Sequence, residues 1–130
     1  MNNFPIGDFL IRIKNAYLAS RKTVLIPWSL PKEEIAKLLT KYGFIAGVKK
    51  EKAEKNRYFL KIGLFSRKKL PSLEIELFSK PGRRFYAGVK DLPYPERKGA
   101  LIIISTSEGI MSGSQAKKKN LGGEVIAHLS

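Results

Sequence analysis

The sequence predicts an α/β fold of the α+β type, divided into two small, tightly associated domains. In the first half, apolar residues recur at the spacing of amphipathic helices and elsewhere alternate as they do in strands. The second half contains short apolar runs separated by Gly and Pro turn signals, which indicates strands. A basic connector, Arg67-Lys68-Lys69, separates the halves. We therefore expect an N-terminal α/β domain over residues 1–67 and a C-terminal, mainly β domain with one short helix over residues 68–130.

Two helices are predicted in the N-terminal domain. Residues 5–19 place apolar side chains on one helical face and have a proline in the first turn. Residues 30–42 form the second helix, which Ser29 or Leu30 caps and Gly43 ends. Strands over residues 23–26, 45–50 and 57–64 complete an α-β-α-β-β order, with the last two forming a hairpin.

The C-terminal domain is predicted to contain three strands and a helix. The run Leu101-Ile102-Ile103-Ile104 is typical of a strand buried on both faces, because it is entirely aliphatic and too short for a helix. The other predicted elements, in chain order, are a strand over 73–77, a turn at 79–82, a loop region over 88–99, a helix over 112–119 and a strand over 124–129 that closes the sheet.

The aliphatic run ends in three hydroxyl residues, Ser105-Thr106-Ser107, followed by a turn signal at Glu108-Gly109. Hydroxyl groups are short donors and acceptors, and a rigid strand can deliver them to an edge where they contact a partner. The same groups can instead satisfy backbone atoms within the turn. The residues themselves leave these two interpretations open.

The charge of the chain predicts a polyanionic partner. Lys and Arg number 25 against 11 Asp and Glu, a net charge of +14. Such a surface binds phosphates with release of counterions, so a nucleic acid or an anionic membrane surface is expected. No basic amphipathic helix favours the membrane, and no apolar run approaches the ~18 residues of a membrane span. Because no motif of the usual DNA readers occurs, the pattern favours recognition of folded RNA by shape and backbone contacts.

The sequence contains no set of residues suited to catalysis or metal binding. Cysteine is absent and His128 is the only histidine, so neither a zinc site nor a base for a serine nucleophile is expected. We therefore predict a protein without enzymatic activity, cofactor or small-molecule substrate, in which His128 is a structural or edge residue. The N-terminus lacks the pattern of a secretory signal, which predicts a cytoplasmic protein, and an organellar copy would look the same.

Several motifs along the chain resemble those of the bacterial type of small-subunit ribosomal protein eight. Residues 5–16 are similar to the opening helix of that family, and Gly43-Phe44-Ile45 to the exit of its second helix. The three motifs of the second half are Ser79-Lys80-Pro81-Gly82-Arg83-Arg84-Phe85-Tyr86, Ile103-Ile104-Ser105-Thr106-Ser107-Glu108-Gly109-Ile110-Met111 and Gly122-Gly123-Glu124-Val125. They occur in order, so the resemblance covers essentially the whole chain.

The resemblance implies a two-domain constituent of the small ribosomal subunit that binds a helix in the central domain of the ribosomal RNA and supports assembly. The C-terminal domain would dock against the minor groove and an irregular core of that helix, neighbouring ribosomal proteins would touch the surface, and the protein would be a monomer outside the ribosome. By position, the docking residues would be Ser105, Thr106, Ser107, Gly122, Gly123 and Glu124.

Basic residues near these motifs are further candidates for RNA contact, because cationic clusters flank the hydroxyl turn. They are Lys80, Arg83, Arg84, Lys117 and Lys118. In the first helix, Arg12, Lys14 and Asn15 form either a solvated face or, as the resemblance implies, an edge near a neighbouring RNA segment. Glu108 stands where the family usually has Lys or another polar residue, which predicts a lost or reversed phosphate contact at that position.

Two other functions remain compatible with the residues. A basic protein-interaction module or assembly factor without specific RNA binding would have the same charge. A regulatory protein that recognises a messenger RNA resembling the ribosomal site would have the same surface. Binding to a ribosomal RNA helix in the presence of excess unrelated RNA separates the first of these from a ribosomal RNA binder.

Overall fold

The computed structural model describes residues 5–66, 73–95 and 98–130. It divides into two compact units, one over Phe9–Leu73 and one over Glu74–Ser130 that also takes in the start of the chain as far as Asp8. The predicted domain boundary at residues 67 and 68 lies outside the described residues and stays a prediction. The prediction of a mixed helix and sheet fold in two parts is confirmed.

The first unit has the predicted α-β-α-β-β order. Its antiparallel sheet has the strand order β1-β3-β2. The elements are α1 (Pro5–Leu18), β1 (Thr23–Pro27), α2 (Leu30–Lys41), β2 (Gly47–Lys52) and β3 (Tyr58–Gly63).

Local chemistry explains where these helices begin and end. The Ser29 hydroxyl accepts a hydrogen bond from the Lys32 backbone N–H at 3.4 Å, which satisfies one free donor of the first turn of α2. Gly43 has φ +81° and ends that helix, a conformation that costs glycine little. On α1, the Tyr17 hydroxyl donates to the Phe44 carbonyl at 2.7 Å, and burial raises the pKa of this phenol.

The hairpin of the first unit differs slightly from the prediction. Strand β2 begins at Gly47 rather than at residue 45. On β3, Leu60 and Ile62 are fully buried as alternation requires, but Tyr58 is exposed and Phe59 is half-buried. Leu60 has an apolar partner on β1, Ile26, whereas Tyr58 lies beyond the last pair of β1 with β3 and faces Lys52 on β2, so the alternation ends at Tyr58.

The second unit is built on one antiparallel sheet with the order β4-β8-β6-β7, and β5 also pairs with β8. The elements are β4 (Ile75–Leu77), β5 (Tyr86–Ala87), β6 (Leu101–Thr106), β7 (Gly109–Ser112), α3 (Gly113–Lys118) and β8 (Gly123–Leu129). The sequence did not predict β5 and β7, because strands of two and four residues are too short to show alternation.

The position of β8 corrects one expectation. This strand lies inside the sheet, between β4 and β5 on one side and β6 on the other, and does not close it. The prediction that His128 is an edge residue is therefore wrong, and its structural alternative holds: it is buried, with 7% exposure, between Glu76 and Ile102 on the neighbouring strands.

Helix α3 covers one face of this sheet. Its cap is Ser112, whose hydroxyl accepts from the Gln115 N–H, while the Gln115 side chain accepts from the Ser112 N–H. The core below the helix contains Leu92, Ile102, Ile104, Met111, Ala116 and Val125. All four residues of the run Leu101–Ile104 are buried, as predicted for a strand covered on both faces. In the described part of the chain, no helix combines the length and the apolar character that crossing a membrane requires.

Candidate functional site

The three hydroxyl residues lie at the end of β6 and in its turn to β7. Ser107 and Glu108 form the turn, between the paired residues Thr106 and Gly109. The Thr106 hydroxyl donates to the Gly109 carbonyl at 2.8 Å and accepts from the Glu108 N–H at 3.1 Å. Its hydrogen bonds are therefore used within the turn, which is the local role considered for all three hydroxyls.

Ser105 and Ser107 differ from Thr106. Ser105 is half-buried, Ser107 is exposed, and neither side chain forms a hydrogen bond with another residue in the ranges that the structure covers. A hydroxyl that is rigidly held and has no partner in the protein can serve a ligand. The Ser105 and Ser107 hydroxyls are thus available to a partner, and Thr106 holds the turn that presents them. Contact of all three residues with RNA stays a prediction.

The Gly122-Gly123 pair lies where three strands approach closely. A Cβ atom added to Gly123 would lie 2.1 Å from the Ser105 carbonyl oxygen, and one added to Gly122 would lie 2.6 Å from the Ala87 carbonyl oxygen. Both neighbours are backbone atoms that cannot move aside alone. The start of β8 can therefore enter between β5 and β6 only because both positions lack a side chain.

This close approach aligns three residues across neighbouring strands. Tyr86 on β5 pairs with Glu124 on β8, and Glu124 pairs with Ser105 on β6. Directly paired residues of an antiparallel sheet project to the same face, so the three side chains form one row. A β-bulge between Ile103 and Ile104 shifts the register and brings Glu124 opposite Ser105.

Tyr86 was not among the predicted site residues. Its side chain is 70% exposed although it belongs to the sheet. The available signal was an aromatic residue directly after Arg83-Arg84-Phe85. The sequence did not place it beside Glu124, because that contact joins residues far apart in the chain.

Buried Ser79 fixes the segment that carries Tyr86 and its preceding arginines. Its hydroxyl accepts from the Phe85 N–H at 2.9 Å and donates to the Val125 carbonyl at 2.8 Å. Lys80 and Arg83 form the bridge of the predicted turn and are both exposed. The guanidinium of Arg84 lies 3.4 Å from the Glu124 carboxylate, which places a cation beside the central residue of the row.

The three consecutive lysines at the end of α3, of which Lys119 is the C-cap, have different surroundings. The Lys117 ammonium lies 2.9 Å from the centroid of the Tyr94 ring. The Lys119 ammonium lies 3.4 Å from the Glu108 carboxylate, so the acidic residue of the hydroxyl turn has a cationic partner. Lys118 is exposed and forms no ion pair within the described ranges of the chain.

Comparison with known proteins identifies the family. The sequence profile of the family described as Ribosomal protein S8 matches residues 4–129. The chain belongs to the ribosomal protein S8 family. Proteins named small ribosomal subunit protein uS8 are similar to it over 96% of both chains, with 43% identity in Flavobacterium johnsoniae and 40% in Nitratidesulfovibrio vulgaris. A third, from Methylacidiphilum infernorum, is 40% identical over 94% of both chains.

Membership of the S8 family confirms the resemblance drawn from the motifs. The assignment of individual residues to RNA contacts stays a prediction. The structure brings together Ser105, Thr106, Ser107, Gly123 and Glu124 through direct strand pairing and the shared turn. Gly122 adjoins this group through its contact with Ala87.

The remaining predicted residues of this S8 family member, Arg12, Lys14 and Asn15, belong to the first unit. Arg12 and Asn15 line a groove of about 640 Å³ together with Arg21 and Thr23, whereas half-buried Lys14 does not. Arg21 was not predicted, because it lies with Lys22 in the loop between α1 and β1 and the sequence does not show that this loop lines a groove with Arg12 and Asn15. The groove combines two guanidinium groups with an amide and a hydroxyl, which are suitable donors for a phosphate.

The described residues contain no cluster of His, Cys, Asp and Glu that could hold a metal ion. The one acidic group with a clearly lowered pKa is Glu33, again within the described ranges. The Trp28 indole N–H donates to its carboxylate at 2.6 Å, and the Lys37 ammonium lies 3.1 Å away. Both contacts favour the ionised form, and both belong to the first unit.

Proposed function

We propose that this protein is a structural constituent of the small ribosomal subunit and binds a helix in the central domain of the ribosomal RNA through its second unit. In this role it supports subunit assembly, resides on the ribosome beside other ribosomal proteins and catalyses no reaction. The single observation that carries the proposal is the close approach of β8 to β6 at Gly123. This approach joins the turn that contains Ser107 and the row of Tyr86, Glu124 and Ser105 into one surface.

The groups on this surface suit the minor groove of an RNA helix. That groove displays 2′-hydroxyls and base edges, and short donors and acceptors read both. The Ser105 and Ser107 hydroxyls can donate and accept, and the Glu124 carboxylate accepts from a 2′-hydroxyl or a base amino group. Arg84 restrains that carboxylate at 3.4 Å, and the exposed Tyr86 ring offers a flat face to a ribose or a base at the end of the row.

Cations on both sides of the surface would contact the sugar-phosphate backbone. Lys80, Arg83 and Lys118 are exposed, and Arg84 and Lys117 are held by contacts on the same unit. Such contacts position the protein without reading sequence, and they make affinity depend on salt. We extend the same role to Arg12, Lys14 and Asn15 toward a neighbouring RNA segment.

A competition experiment tests the proposal. The full chain is titrated into a transcribed bacterial small-subunit ribosomal RNA and its central-domain fragments, at rising salt and with excess unrelated RNA. Binding to one helix should survive the competitor. Equal displacement by unrelated RNA would instead indicate a basic protein-interaction module or assembly factor without RNA specificity.

Replacing one hydroxyl separates the contact surface from the turn structure. Ser107→Ala should lower the affinity for the ribosomal RNA helix by about 1–3 kcal/mol, because the RNA partner of the hydroxyl is left unsatisfied. The fold should be intact, since this side chain makes no hydrogen bond within the described chain. Exposed Ser66 on the first unit provides the matched control, and Ser66→Ala should bind as the parent does. Parental affinity in a folded Ser107→Ala protein would contradict a contact by Ser107.

A further inference from the structure

Tyr94 is the most exposed large apolar side chain in the described ranges, with 78% of its surface accessible. The segment around it is held in place. Leu92 is buried in the core below α3, and Pro93 and Pro95 restrict the backbone on both sides of the tyrosine. An exposed ring on a restrained backbone contributes little to folding, and it loses little conformational freedom when a ligand covers it.

The segment lies against the first turn of α3. A Cβ atom at Gly113 would meet the Pro93 carbonyl at 3.9 Å and the Ile102 side chain at 3.4 Å, so the helix and the segment are neighbours. One turn further along, Lys117 places its ammonium 2.9 Å from the Tyr94 ring centroid. This cation covers one face of the ring and leaves the opposite face for a ligand.

We propose that Tyr94 and Lys117 form a stacking site for an unpaired nucleobase of the bound RNA. The base lies on the ring face opposite Lys117, and the exposed ammonium of Lys118 contacts its phosphate. The inference rests on the proposed RNA binding and adds a site for a single-stranded nucleotide to a surface otherwise suited to a helix. Stacking on tyrosine tolerates every base, so this site would add affinity without reading sequence.

The charge around the ring favours a nucleotide over a protein side chain. The chain carries +14, and Tyr94 lies beside a helix whose last two residues and C-cap are consecutive lysines. One of these, Lys119, is paired with Glu108, which leaves two cations for an anionic ligand. An apolar protein partner would gain nothing from these charges, whereas a nucleotide has both an aromatic base and a phosphate.

Photo-crosslinking locates the site directly. The full chain is bound to small-subunit ribosomal RNA in four separate preparations, each with a photoreactive analogue in place of a fraction of one of the four nucleotides, which crosslinks to a stacked aromatic side chain under ultraviolet light. The expected product is a nucleotide attached to Tyr94, identified by mass spectrometry of the digested complex. A specific complex that crosslinks through other residues and never through Tyr94 would overturn the proposal.

Three variants give an independent measurement. Tyr94→Leu should weaken binding roughly 5- to 150-fold, as expected for loss of one stacked base, whereas Tyr94→Phe should bind within about twofold of the parent. Tyr58 on the first unit also has a lysine over its ring, with Lys50 at 4.5 Å, so Tyr58→Leu serves as the matched control and should not change affinity.

The outcomes separate this inference from the proposed function. If the parent chain binds the RNA specifically and Tyr94→Leu binds equally well, the stacking site is refuted and the ring belongs to another contact, such as a protein neighbour. If the parent shows no specific binding, both proposals fail. Unchanged melting temperatures of the variants show that a loss of affinity does not reflect unfolding.

Discussion

Replacing Gly123 by alanine should separate the two strands that carry the candidate RNA surface. The new methyl carbon would lie 2.1 Å from the Ser105 carbonyl oxygen, 3.0 Å from the carbonyl carbon and 3.2 Å from the Thr106 Cα. Non-bonded carbon and oxygen atoms must be more than about 3 Å apart, so β6 and β8 must separate by about 1 Å at this point. Overpacking of this kind costs about 1–3 kcal/mol.

Two assays measure the effect of Gly123→Ala. Chemical denaturation should show a free energy of unfolding that is lower by about 1–3 kcal/mol, and RNA titration should show weaker binding because Ser105 and Glu124 lose their register. Gly47→Ala provides the control: this glycine also begins a strand, but its added Cβ would meet nothing within 4 Å. If Gly123→Ala and Gly47→Ala have equal stability and equal RNA affinity, the close-approach argument is wrong.

Three further predictions concern other residues. Lys118→Ala should flatten the plot of log affinity against log salt by about 0.7–0.9 for one lost phosphate contact, and Lys119→Ala, whose ammonium already pairs with Glu108, should change it less. Ser79→Ala should lower the free energy of unfolding by about 1–3 kcal/mol, because the buried Val125 carbonyl and the partly buried Phe85 N–H lose their partner; a denaturation midpoint equal to the parent's would contradict this. Glu33 has a lowered pKa in the folded state, so its stabilising contribution is present above its ordinary pKa of 4.5 and is lost as pH falls through the folded value. The melting temperature of Glu33→Gln should therefore lie below that of the parent at pH 7, and the difference should shrink as the pH falls below 4.5; a difference that stays constant over this range would count against the Trp28 and Lys37 contacts as its cause.

The sequence predicted the elements whose signals are local. The cap at Ser29, the end of α2 at Gly43 and the buried run of β6 each depend on a few neighbouring residues, and the structure confirms them. Strands β5 and β7 escaped prediction because they are held by partners distant in the chain rather than by their own periodicity.

The candidate site was predictable by residue type but not by arrangement. The resemblance names Gly122 and Gly123 as docking residues, but their close approach to the backbone of Ser105 and Ala87 is not visible in any local pattern. The difference between Thr106 and the other two hydroxyl residues also depends on one hydrogen bond, from the Thr106 hydroxyl to the Gly109 carbonyl. Residues that act through cross-strand contacts therefore required the structure.

The central position of β8 has a consequence for the order in which this protein acquires function during synthesis. Strands β4, β5 and β6 all pair with β8, although each of them leaves the translating ribosome before it does. Until β8 emerges, the hydroxyl turn has no Glu124 beside it and Tyr86 has no strand to pair with. Nascent chains lacking this strand should therefore lack the assembled surface through which RNA binding is proposed, and this surface should form only when the second unit is nearly complete.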